Sequence, residues 1–309
     1  MIFVTGSSGH VGSHVVQLLQ KRGVVTRAGI RPRRSGELPA GPPAQDPLGA
    51  GLETVPFDFL NSATYGGAVA GCDAVFLLRP PAIANTRITL NPFLDVARRQ
   101  GVRQVVFVSV TGAGSNPLVP HHAVEKHLEA GPAGWTILRP GFFAQNLVAA
   151  YREDICRDSR IYVPAGSASV AFVDAHDIAE LAVAALLNFQ AHAGRTYTLT
   201  GPQALSFDAV SVLLSSELGR HIRYQAASVL GYVRHLHLRG LPVTQNLVQT
   251  LLHIGLRFGQ ASRMTTVLAD LLGHPALTMH EFVQRERAQW QPAEFGTAEA
   301  LQTGSVSLG

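Results

Sequence analysis

The sequence predicts an α/β protein: a Rossmann-type doubly wound parallel sheet with a smaller, mostly helical C-terminal lobe. Three observations carry that expectation. A β-branched run, IFVT at 2–5, leads straight into glycines at Gly6, Gly9 and Gly12. Short strands then alternate with helix-patterned segments to about residue 140. Most of these strands are continuous apolar runs, as expected of strands covered on both faces.

Taken in order, VGSHVVQLLQKRG sets Val11, Val15, Leu18 and Leu19 at helical spacing and closes at Gly23 behind Lys21 and Arg22. VVTRAGI at 24–30 is the second strand. Five prolines and four glycines between residues 32 and 51 mark a surface loop. LETVPFDF is the third strand, SATYGGAVAG a helix, and DAVFLL at 73–78 a fourth strand stopped by RPP. NPFLDVARRQG is a helix and VRQVVFVSV the fifth strand. PHHAVEKHLEAG is a helix with proline in its first turn, and GWTILRP is the sixth strand.

Beyond residue 140 the alternation loosens. VAFVDAHDIAELAVAALLN joins a strand to a helix with Asp174 and Asp177 at the positive end of its dipole. RTYTLTGP is a further strand, and LSFDAVSVLLSSELGR a helix capped by Ser206 and closed by Gly219. Residues 228–262 read as mainly helical and apolar, with Arg234, His235, His237 and Arg239 on a solvated face or a cleft rim. The expected organisation is a dinucleotide-binding domain at 1–200, which contributes part of the cleft from 141–168. A substrate-side lobe at 201–292 and a flexible tail at 293–309 follow.

Composition narrows the class. The 309 residues are 46% hydrophobic and 15% charged, with a net charge of +4, which fits a well-buried globular chain and not a nucleic-acid-coating one. Cys72 and Cys156 are the two cysteines, too few for a disulfide framework. With no secretory signal and no apolar run long enough to span a bilayer, the expectation is a cytoplasmic protein without membrane or nucleic-acid partners. There are 13 histidines but no H-E-x-x-H, and His10 with His14 is the one i, i+4 pair on a predicted helix, so no metal site is expected. The absence of a G-x-S-x-G elbow and a Walker lysine argues against hydrolase and nucleotide-kinase chemistry.

The chemistry starts at the glycines. A helix beginning at Gly9 to Gly12 aims free N–H groups and the positive end of its dipole at the preceding turn, a geometry that binds pyrophosphate. Gly6 permits the tight turn, Gly9 the approach of phosphates, and Gly12 close packing of helix on sheet. Ser7 and Ser8 are placed to donate hydroxyl hydrogen bonds, with His10 and Val11 completing the turn. The second strand ends in GIRPRRS, with Arg31, Arg33 and Arg34 where an NAD-binding site carries an acid. Guanidinium groups suit a 2′-phosphate, so NADP(H) is favoured, with NAD(H) possible if these arginines only solvate a loop.

FVTGSSGHVGSHVVQLL, VVFVSVTGA, HHAVEKHLEAGPAGWTILRPGFFAQNL, FVDAHDIAELAVAAL and LLGHPALTMHEFV together resemble the NmrA-like branch of the atypical short-chain dehydrogenases. The pattern H-x-x-x-E-K…T-I-L-R-P-G-F-F…N is the specific part, and the resemblance spans residues 1 to about 290, closest to the quinone oxidoreductase and triphenylmethane reductase group. It implies that Gly6, Gly9 and Gly12 hold the pyrophosphate, Arg31 the 2′-phosphate, and Asp58 and Phe59 the adenine. Leu78 and Arg79 would face the ribose and phosphates. Ser109 to Thr111, Lys126, Pro140, Gly141, Phe142 and Phe143 would surround the nicotinamide and its ribose.

Ordinary short-chain dehydrogenases carry Tyr-x-x-x-Lys on the helix after the fifth strand. Here that helix reads His122-Ala-Val-Glu-Lys126, with the lysine retained and histidine in place of tyrosine. Lys126 is expected to touch the cofactor. His122 is either a proton donor near neutral pH or a polar residue at the helix start. His121 and His127 are expected to face solvent. The function implied is reduction of an apolar or aromatic electrophile, such as a quinone, by NADPH. The alternative is a non-catalytic NADP(H)-binding redox sensor, which the missing tyrosine also fits.

Overall fold

The computed structural model describes residues 1–32, 52–132 and 134–291. Arg33, Arg34, most of the expected proline-rich loop and the expected tail lie outside the described residues.

The strands are β1 (Ile2–Val4), β2 (Thr26–Ile30), β3 (Leu52–Pro56), β4 (Ala74–Leu78), β5 (Gln104–Val108), β6 (Trp135–Pro140), β7 (Phe142–Phe143), β8 (Arg160–Val163), β9 (Ser169–Val173), β10 (Arg195–Leu199), β11 (Ala204–Ser206) and β12 (Arg223–Ala226). The helices are α1 (His10–Lys21), α2 (Tyr65–Val69), α3 (Leu90–Arg99), α4 (Pro120–Glu129), α5 (Arg152–Asp158), α6 (Ala175–Leu187), α7 (Phe189–His192), α8 (Phe207–Leu218), α9 (Val229–Leu238), α10 (Val243–Leu256), α11 (Val267–Leu272) and α12 (Met279–Glu286).

Seven strands form the main sheet in the order β10-β6-β5-β4-β1-β2-β3. Every pairing in it is parallel. This is the predicted doubly wound arrangement. One sheet face is covered by α1 and α6, through Val15, Leu19, Ile178 and Leu181. The other is covered by α2, α3 and α4, through Ala68, Phe93, Leu94, Val124 and Leu128. Burial on both faces is why the strands lack polar alternation. The direction of winding reverses between β1 and β4, so their C-terminal ends flank the crevice where such sheets bind ligands.

The lobe is assembled from two stretches. The β7-β9-β11 sheet and the β8–β12 pair combine segments from both sides of β10. Around them α5, α8, α9, α10 and α12 close a second core containing Tyr151, Phe172, Phe207, Tyr232 and Trp290. The segment carrying α11 returns to the first core, where Leu268 packs with the residues of α6. Ser206 caps α8 by accepting from the Ala209 N–H, and Gly219 ends it in the left-handed conformation.

Two arginine and histidine positions depart from the solvated face expected for α9. Arg239 pairs with Asp154 at 2.9 Å and His235 with the same carboxylate at 3.1 Å, both largely buried against α5. The acid that draws them inward is distant in sequence. Arg234 and His237 stay exposed.

Candidate functional site

The glycine turn is built for close approach. Gly6 sits at φ +62, a left-handed conformation that disfavours side chains, and a Cβ on Gly12 would overlap the Gly6 carbonyl oxygen. Gly12 therefore lets α1 sit directly against the turn. The Gly9 N–H donates to the Gly6 carbonyl at 3.0 Å. Gly9 is also the N-cap of α1, which has no side-chain cap and no acid in its first turn. The first N–H groups of this helix are left to an external acceptor, and the dipole favours an anion there.

Around this turn Gly6, Ser8 and His10 are exposed, Gly9 is partly exposed, and Val11 is buried under the helix. Ser7 is tied elsewhere, its hydroxyl donating to the Gly29 carbonyl of β2 at 3.1 Å. Thr5, which sequence reasoning passed over, fastens β1 to β4. Its hydroxyl donates to the Phe76 carbonyl and accepts from the Leu78 N–H at 2.8 Å. Arg31 follows β2 directly and is exposed. Asp58 accepts from the Leu60 N–H, and Phe59 is buried in a cluster with Phe57 and Phe93. Leu78 lies against the Gly6 position.

The ends of β4, β5 and β6 converge on α4. Ser109 follows β5 and donates through its hydroxyl to Glu125 at 2.5 Å. Glu125 is fully buried and receives a two-pronged clasp from Arg139, Nε at 2.9 Å and Nη2 at 2.7 Å. That clasp raises the Arg139 pKa. Arg79 follows β4 and is half buried among carbonyls, donating through Nη1 to Pro80 and Ile83. Its Nε donates to His121 Nε2 at 3.1 Å.

That contact fixes the state of His121. An arginine Nε always carries its hydrogen, so His121 Nε2 is the acceptor and the proton of the neutral ring sits on Nδ1. Nδ1 is buried with no hydrogen-bond partner among the described residues. Burial, with the Arg79 charge beside it, pushes the His121 pKa down to about 3. The imidazole is therefore a neutral donor with an unspent N–H.

The expectation that His121 faces solvent is corrected: it is 8% exposed and lies near Phe107. Val124 and Leu128 define the inward face of α4, and His121 and Glu125 share it at i, i+3, i+4 and i+7 spacing. His122 and Lys126 lie one position further round. The ring of His122 is partly buried, and Nδ1 donates to the Ala113 carbonyl at 2.7 Å, pinning the loop after β5. Lys126 is exposed and pairs with Glu129 at 2.7 Å. His127 is partly buried against Asp95.

Pro140 is buried at the end of β6, and the Gly141 N–H donates to the Leu199 carbonyl. Phe142 leads into the lobe, its ring beside Phe172, Phe207 and His253. Thr111 bonds the Pro140 carbonyl through its backbone N–H and its hydroxyl.

The NmrA-like family matches residues 1–272. The chain belongs to the NmrA-like family. This is the family its motifs resemble. It is 31% identical over 307 residues to the NAD(P)H azoreductase of Xenophilus azovorans, covering 96% of this chain and all of that one. Among solved folds it resembles the NADPH-dependent quinone oxidoreductase of Escherichia coli, crystallised with NADPH, at TM-score 0.78 and 23% identity over 92% of this chain and 99% of that one. It also resembles an NmrA negative transcriptional regulator in complex with NAD, at TM-score 0.68 and 16% identity over 94% of this chain and 98% of that one.

Proposed function

We propose that this NmrA-like protein is an NADPH-dependent reductase that delivers hydride to an apolar quinone or related aromatic electrophile. One observation carries the reading: an uncapped helix N-terminus over a Cβ-free turn at the β1–β4 crevice, with His121 held through Nε2 by Arg79 where β4 ends. The first feature suits a pyrophosphate, and Arg31 after β2 suits a 2′-phosphate. The names of the azoreductase and quinone oxidoreductase relatives support the same chemistry.

When bound, the nicotinamide supplies the hydride. His121 Nδ1 is closed off from solvent in this structure, so its N–H reaches the substrate oxygen on which negative charge develops only when the packing over it opens on binding. It does not give up that proton, because Arg79 cannot refill Nε2, and the proton that completes the reduced oxygen comes from water. A neutral imidazole fixed in one tautomer is thus an electrostatic stabiliser and not a general acid. Glu125, held by Arg139 and Ser109, keeps the inward face of α4 in register. Phe142 brings an aromatic wall of the lobe toward the same strand ends.

The test is loss of NADPH absorbance with a panel of benzoquinones and naphthoquinones, repeated with NADH. Turnover is expected, with kcat/KM for NADPH about tenfold or more above that for NADH. Intact NADPH binding with no turnover on any quinone would overturn the reading and favour a cofactor sensor.

A further inference from the structure

Helix α10 is amphipathic in the wrong direction for an isolated protein. Its inward face is polar: Asn246, Thr250 and His253 are buried. Asn246 Nδ2 donates to the Val233 carbonyl at 2.8 Å, Gln249 Nε2 to the Tyr232 hydroxyl at 3.2 Å, and His253 pairs with Tyr151. Its outward face is apolar: Val243, Leu247, Val248, Leu251 and Leu252 are each more than half exposed. The stripe continues past the helix to Phe258, 80% exposed, and onto the neighbouring α9 at Leu230 and Leu238. A contiguous apolar face of this kind marks an interaction surface.

Charge says what covers it. From residue 218 to residue 269 there is no aspartate or glutamate, while Arg220, Arg223, Arg234, Arg239, Arg257 and Arg263 all fall in that span. Arg239 is taken up by Glu153 and Asp154 of α5. Arg234, Arg257 and Arg263 are exposed, with no carboxylate partner among the described residues. Arg257 bonds only the neutral carbonyls of Pro164 and Ala227, directly beside Phe258.

We infer that the α9–α10 face docks on an anionic lipid bilayer surface, with the leucines and Phe258 at the acyl boundary and the arginines among the headgroups. An apolar stripe rimmed by unpaired arginines is the composition that lies in such an interface. A second copy fits less well. A two-fold interface sets each arginine against the same acid-free segment, and the acids of α5 are already engaged by Arg157, Arg160 and Arg239. No helix among the described residues is long and apolar enough to cross a membrane. On this inference the face lies on a bilayer surface.

The experiment is co-sedimentation of the full chain with phosphatidylcholine vesicles, with and without phosphatidylglycerol, at low and high salt. Binding is expected only to the anionic vesicles and is expected to weaken with salt. The paired change Arg234→Glu with Arg263→Glu should cut the bound fraction about tenfold or more. Leu251→Asp with Leu252→Asp should abolish it. All four positions are exposed, so NADPH affinity and melting temperature should stay as in the unaltered chain, which separates lost docking from lost folding. Failure to bind anionic vesicles, or binding unchanged in both variants, would overturn the inference. So would a dimer in analytical ultracentrifugation that the leucine variant splits, because the face would then belong to a second copy.

Discussion

In the lobe, His253 is buried with both ring nitrogens occupied: Nδ1 donates to the Gln249 carbonyl and Nε2 accepts from the Tyr151 hydroxyl. In the sheet domain, His121 is buried with one nitrogen occupied by Arg79 and the other bare. Burial lowers both pKa values, to about 4 for His253 and about 3 for His121. By burial and protonation state the two are alike. They differ in satisfaction: one ring is a closed link in a packed core, and the other, beside Arg79 and Phe107, leaves a buried N–H without a partner among the described residues. An unsatisfied buried donor costs about 1–3 kcal/mol, a cost that any group completing it would relieve.

The difference can be sharpened by removing what holds each ring. Glu125→Ala leaves the Arg139 guanidinium without its carboxylate in a buried setting and should lower stability by about 3–5 kcal/mol, read by urea unfolding. Because Glu125 sits one turn from His121, this variant should also lower turnover by whatever protein remains folded. His253→Phe strands the Tyr151 hydroxyl in the lobe core and should cost about 2 kcal/mol in the same assay, leaving NADPH affinity unchanged. Equal losses of cofactor affinity from His253→Phe would erase the distinction between the rings.

Acid should expose both. The unfolded chain binds a proton at each histidine near pH 6.5, while the folded one resists until about pH 4 or 3. The unfolded state therefore binds more protons below pH 6.5, and stability falls as the pH falls. Between pH 7 and pH 5.5 each ring should account for about 1 kcal/mol, and replacing either by phenylalanine should flatten the fall by that amount. Asp177 works in the opposite sense. Burial raises its pKa to about 6, so its contribution favours the folded state at low pH and fades as the pH rises through 6.

The sheet was legible because its signals are local. IFVT before the glycines, the helical spacing of Val11, Val15 and Leu19, and the apolar runs at β4 and β5 each report burial on their own. The register of α4 was less so. Pairing Lys126 with the histidine four residues before it selects His122, and the inward face is set instead by Val124 and Leu128, one step round. Those two apolar positions, and the H-x-x-x-E spacing of His121 and Glu125, carried the signal. Arg139 could not be read, because its partner lies on another element. The apolar pattern of residues 228–262 reads as mainly helical, as α9 and α10 are, but it does not say that the leucines of α10 face outward, since periodicity fixes a stripe and not the side that is covered.

The most direct measurement is the initial rate of NADPH oxidation with p-benzoquinone by His121→Phe and His122→Phe, with His121→Gln as the variant that retains a donor. The value of kcat/KM is expected to fall about a hundredfold or more in His121→Phe, to recover in part in His121→Gln and to change little in His122→Phe. Wild-type rates in His121→Phe, or a loss confined to His122→Phe, would contradict the role given to His121.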